Sequence, residues 1–271
     1  MIRVDATVAL RLIAALGVLI MLAALVALWS AKLQLGGNVY VSELGAPGMP
    51  TAGVFEIVLL LIAAGGVLIA VAGRDIRSRA RVFRWWRPSL SLALASAFFL
   101  VDSQVSCTPG CPIPVGATFT TQDFVHTFSA VLAFAFASWA IMQSAFAAGH
   151  PVLARISVVA AIAVAAASTT GGLLSLLHFQ TILGSRFEWA ATTIGLAWVV
   201  VFGAGLAFGR RHPARTAAQR LPPHGEQQLV GQADEPVDLV LVPVHPAALG
   251  LGSDGHEVVV LLPDDEGALG A

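Results

Sequence analysis

Five apolar runs, at about Val8 to Trp29, Ala52 to Ala72, Phe124 to Phe146, Val158 to Leu177 and Trp189 to Phe208, constrain this chain more than anything else in it. Each approaches or exceeds the ~20 residues that a helix needs to cross ~30 Å of hydrocarbon. In lipid no water is present to satisfy an open backbone, so such runs are read as helices. The composition agrees: 57% of the 271 residues are hydrophobic, only 11% are charged, and the mean hydropathy is +0.81. A soluble domain carries about a quarter charged residues. The expected fold class is all-α, an integral membrane bundle.

A sixth run, Pro88 to Val105, has a shorter apolar stretch and ends in Asp102 and Gln104. Charge placement argues that it also crosses. With six crossings and the N-terminus inside, Arg3, Arg11, Arg74, Arg77, Arg79, Arg81, Arg84, Arg87, Arg155, Arg210, Arg211, Arg215 and Arg220 all fall on the cytoplasmic side, leaving Lys32 and Arg186 outside. That is the positive-inside bias, and omitting the third crossing would scatter the bases over both faces. The run after Arg3 is as long as a full span and lacks a small-residue cleavage site, so it reads as a retained first helix rather than a signal peptide. Both termini are then cytoplasmic.

The expected organisation is a six-helix transmembrane domain over 1–208 and a hydrophilic tail over 209–271. After Arg220 the tail has nine acids and no lysine or arginine. It is expected to be largely disordered, with two short β-branched pieces, Val237 to Val244 and Glu257 to Leu262, that can pair as a hairpin. The Arg74 to Arg87 link, with Phe83, Trp85 and Trp86 among its arginines, reads as positive-inside charge plus an aromatic belt. An interfacial amphipathic helix is the alternative. Gly65, Gly66, Ser168, Gly172, Gly205 and Gly209 are the small residues expected at helix crossings. No nucleic-acid-binding surface is implied; the expected partners are membrane lipids and a membrane protein. Fourteen of fifteen bases are Arg, which with abundant Ala, Gly and Val suggests a GC-rich bacterial genome and hence a bacterial inner membrane.

Under this topology the ionisable residues Glu43, Glu56, Asp102, Asp123, His126, His178, Arg186 and Glu188 collect in the outer half. A charge in a bilayer costs at least about 2.5 kcal/mol, so these groups should face one another, water or head groups. A polar outer pocket of Ser42, Glu43, Glu56, Asp102, Asp123, His126, His178 and Arg186 is the natural expectation. Asp123 and His126 share a helix face at i,i+3. His126, His178, Asp102 and Asp123 are the candidate metal ligands, and Ser42 with a histidine and an acid the candidate hydrolytic set. Structural readings stand beside these: Asp123 as a helix cap, His126 bonded to Asp102 or Gln122, Glu43 paired with Arg186, Glu56 as a protonated acid. No zincin motif and no nucleophile elbow is present. Cys107 and Cys111, the only cysteines, flank a Thr-Pro-Gly turn in an outer loop, where a disulfide is expected.

The Tyr40-Val-Ser-Glu-Leu-Gly45 stretch, the Cys107-Thr-Pro-Gly-Cys111 turn and His126 opening the fourth span resemble the prokaryotic membrane family known as domain of unknown function 998. The resemblance covers about residues 8 to 208. It implies the multi-span fold and no activity. The functional expectation is an accessory, non-catalytic membrane protein with an outer pocket for a lipid, small ligand or partner. A metal-dependent or serine-type lipid hydrolase is the first alternative and a cation- or proton-coupled transporter the second; no cofactor is specified.

Overall fold

The computed structural model describes residues 5–83, 85–109, 111–112, 116–177 and 179–209. His178, Arg84 and the whole tail, with its expected hairpin, lie outside the described residues. The architecture is all-helical: α1 (Ala6–Leu35), α2 (Ala52–Ala72), α3 (Pro88–Gln104), α4 (Thr121–Ser144), α5 (Pro151–Leu176) and α6 (Thr181–Phe208).

Local chemistry sets the ends. Prolines open α3 and α5 at the first helical turn, where a missing N–H costs no hydrogen bond. Gly36 closes α1 in the left-handed conformation (φ 64°) and returns its N–H to the Lys32 carbonyl. Thr120 caps α4, its Oγ1 accepting from the Asp123 amide at 3.0 Å.

Five of the helices, all but α3, are long and apolar enough to cross a membrane. At 17 residues α3 spans about 25 Å. It nonetheless runs from one end of the bundle to the other. Its start adjoins the link from α2, which pairs with the turn between α4 and α5: Arg79 N–H donates to Phe146 O, and Ala148 N–H to Arg77 O, both at 2.9 Å. Its far end leads to Cys107, whose Sγ lies 3.8 Å from the Ser42 carbonyl oxygen in the loop between α1 and α2. Each helix therefore reverses the direction of the one before.

Among the described residues, the Arg-rich link holds a three-residue 3₁₀ turn, Arg81–Phe83, and no amphipathic helix. Phe83 packs edge-on against Trp139 of α4 at 5.1 Å and Trp86 stacks near Phe136, while Trp85 is 95% exposed. Buried Gln143 ties this end together, accepting from Ser91 Oγ (2.7 Å) and donating to the Trp86 carbonyl (2.5 Å).

Helix crossings use small residues, partly at other positions than expected. A Cβ on Gly65 of α2 would meet the Gly17 carbonyl of α1 at 3.1 Å, and Gly66 abuts Ser96 of α3. Between α5 and α6 the contact falls on Gly171 and Gly184, not on Gly172, which faces open space as Gly205 also does. Ser168 is exposed. Outward faces are apolar: Leu12, Leu19, Val26 and Leu33, seven apart along α1, are 62%, 64%, 66% and 76% exposed. A row of that kind needs a nonaqueous neighbour.

Candidate functional site

The loop between α1 and α2 folds over the bundle end. Its turn, Ser42–Gly45, is latched to α6: Trp189 Nε1–H donates to Val39 O at 2.8 Å and the Val41 N–H donates to Glu188 Oε2 at 3.2 Å. Tyr40 OH sits 3.1 Å from Ser175 Oγ at the end of α5. Lys32 places its ammonium 3.9 Å from the Trp189 ring centroid, a cation–π contact. Glu43, expected to pair with Arg186, instead accepts from the Tyr40 N–H at 2.9 Å. Arg186 is exposed, and the one ion-pair contact among the described residues joins His126 and Asp102. A local backbone donor three residues away offers Glu43 a shorter route to satisfaction than a flexible guanidinium across the loop.

Asp123 is completely buried, and its role is architectural. It accepts from Thr108 N–H (2.7 Å), Thr108 Oγ1–H (2.8 Å) and Thr120 Oγ1–H (2.5 Å). One carboxylate thus clamps the cysteine loop to the start of α4. Cys107 and Cys111 come together in that loop with Cα atoms 5.1 Å apart, inside the range that a disulfide closes.

One turn further along α4, His126 reaches α3. Its Nδ1 lies 2.9 Å from the Val105 carbonyl oxygen and 3.5 Å from Asp102 Oδ1. Ser129 Oγ donates to Asp102 Oδ1 at 2.5 Å. Asp102 and His126 are only 4% and 6% exposed, so this trio is a buried polar knot between α3 and α4. Sequence reasoning placed Asp102 and His126 in the site and missed Ser129. The signal was available: Asp123, His126 and Ser129 recur every third residue on one face of an otherwise apolar helix.

Two cavities meet at this knot. The outer one, about 250 Å³, is lined by Ser42, Glu56, Asp102, Ser103, Gln104, Ser106 and His126 beside the first loop. The inner one, about 100 Å³, runs between the helices along apolar side chains such as Phe55, Ile62, Phe99, Phe134, Leu196 and Trp198. Ser42, Phe55, Leu59, Asp102 and His126 border both. Glu188 and Thr192, one turn apart on α6, also line the inner cavity. Thr192 Oγ1 is buried without a hydrogen-bond partner among the described residues. The structure therefore gathers Ser42, Glu56, Asp102 and His126, leaves Glu43, Asp123 and Arg186 to one side, and adds Glu188 and Thr192.

Among the described residues, no three His, Cys, Asp or Glu side chains converge as metal ligands. Asp123 spends its oxygens on threonines, and His178 is outside the described residues. The hydroxyl on the acid is Ser129, bonded directly to Asp102, with His126 turned to a backbone carbonyl. A nucleophile–base–acid relay requires the imidazole between hydroxyl and carboxylate.

No family model matches the chain, and neither a curated protein nor a solved structure matches it.

Proposed function

We propose that this protein is an accessory membrane protein of six spans, set in a bacterial inner membrane with both termini cytoplasmic. Its outer half binds a lipid-like amphiphile without covalent chemistry. The observation that carries this reading is the graded cavity: polar groups on Ser42, Asp102, His126 and Glu188 stand at one end of a shaft walled by aromatic and aliphatic side chains. Ligand sites are typically apolar with a few placed polar groups, and this one matches a molecule with a head and a chain. α3 is the sixth span because it connects the arginine-rich end to the cysteine-loop end. The resemblance to the family of domain of unknown function 998 belongs to the same reading, on the Tyr40–Gly45 stretch, the cysteine turn and His126.

The alternatives find less support. A hydrolase needs an activated hydroxyl, and Ser42 makes no hydrogen bond to His126 or Asp102 among the described residues. A transporter of the inverted-repeat kind needs helices broken near mid-membrane, whereas α1 to α6 are each continuous.

Native mass spectrometry of the protein released from nanodiscs tests the binding reading. Gly195 lines the inner cavity, and a Cβ placed there meets nothing within 4 Å, so the side chain of Gly195→Leu starts in open space and enters the shaft. The wild type should retain a single-chain amphiphile at near one-to-one stoichiometry and Gly195→Leu should lose it. Equal adducts on both proteins, or none on the wild type, would refute the pocket.

A further inference from the structure

The cysteine turn is fastened to α4 by more than its sulfurs. The Val105 carbonyl lies 2.9 Å from His126 Nδ1, and the Ser106 carbonyl accepts from Gln122 Nε2 at 2.7 Å. Thr108 delivers both its N–H and its hydroxyl to buried Asp123. Cys107 and Cys111 are only four residues apart, and the chain entropy that a cross-link removes grows with the loop it closes, so a bond between them is a weak staple. The two cysteines also differ in setting. Cys107 is 2% exposed, whereas Cys111 is half-buried and lies in the left-handed region at φ 43°, which a residue with a β-carbon seldom adopts. Backbone strain of this kind gathers at functional sites.

We propose that this pair is a thiol–disulfide exchange site for an external dithiol. A thiolate of the dithiol attacks Sγ of Cys111, the more open residue. The Cys107–Cys111 bond breaks as a mixed disulfide forms at Cys111, and its electron pair leaves on Cys107 Sγ, which takes up a proton. The second thiol, as its thiolate, then attacks the dithiol's own sulfur in the mixed disulfide, and the electron pair released on Cys111 Sγ is protonated in turn. The dithiol departs as a disulfide, oxidised by two electrons, and the two cysteines hold the two protons it gave up. The reduced form is provided for. Cys107 Sγ lies 3.8 Å from the Ser42 carbonyl oxygen, so its new S–H finds an acceptor without movement of either loop. The Cys111 N–H donates to the Thr108 carbonyl at 2.9 Å, so the turn keeps the two thiols together for reoxidation.

The test uses the full chain in nanodiscs, with dithiothreitol and a reduced thioredoxin as dithiols and the free thiols read by alkylation and mass spectrometry. Both cysteines should become alkylatable on the folded protein, and the midpoint of thermal unfolding should hardly move. Reduction by either reagent supports the site, the faster one showing the size of dithiol it takes. In Cys107→Ser, Cys111 should form a mixed disulfide with oxidised glutathione several-fold faster than Cys107 does in Cys111→Ser, because access governs the exchange. A pair that resists both reagents until the protein unfolds is a structural staple, and that result overturns the proposal. So does a reduction that lowers the midpoint as far as Asp123→Ala does, or a reaction at Cys107 as fast as that at Cys111. Should a single-cysteine variant fail to fold, reduction of the wild type decides alone.

Discussion

Asp123 illustrates how a buried acid can serve architecture. Three donors from two threonines converge on it, so Asp123→Ala removes three charge-assisted bonds at once and should cost on the order of 3 kcal/mol. Thermal unfolding in detergent should show a large drop, with Asp123→Asn recovering part of it. An alanine variant as stable as the wild type would mean that the cysteine loop is held some other way. The paired Cys107 and Cys111 make a second claim on that loop: thiol alkylation of the denatured, unreduced protein should modify neither cysteine, and modification of both would rule out the disulfide. At this scale the reach of the sequence was uneven. His126 and Asp123 were legible from their i,i+3 spacing, and Ser129 lay on the same stripe. Glu188 was visible as an outer acid, but its bond to the Val41 amide spans 147 residues and follows from no local pattern.

Elements were the most legible scale, because a span announces itself by length and hydropathy. The five long runs recur as α1, α2, α4, α5 and α6, and the run from Pro88 as the shorter α3. The register of helix contacts was not legible. Gly171 and Gly172 are equivalent in composition, yet only Gly171 faces α6, where a Cβ would meet the Phe187 Cβ at 2.9 Å. The rotation of α5 that decides between them is set by tertiary packing. Two neighbouring substitutions should therefore behave oppositely. Gly171→Ala should destabilise by about 1–3 kcal/mol through overpacking. Gly172→Ala should be neutral or stabilise by up to about 1 kcal/mol through helix propensity. Unfolding of the two variants side by side checks this, and equal effects would contradict the packing described between α5 and α6.

For the whole molecule the governing feature is polarity between its two ends. Among the described residues, one end carries every arginine but Arg186, with Gln143 and the aromatic link; the other carries the latched first loop, the cysteine loop and the outer cavity, from which the inner cavity runs toward Leu92 and Ile141. The difference between the two ends was legible because arginines gather in the short links at one of them. It brought most of the site residues to one end without saying which of them touch. Convergence of Ser42, Asp102 and His126 required the loop to fold back over α3 and α4, a long-range event with no trace in composition. The central claim is an outward-facing pocket at that end. Its most direct measurement is labelling of Ser42→Cys, in a Cys107→Ser, Cys111→Ser background, by a membrane-impermeant thiol reagent on right-side-out vesicles. The account predicts labelling from outside. Labelling only from the inner face, or no labelling until the protein is unfolded, would contradict it.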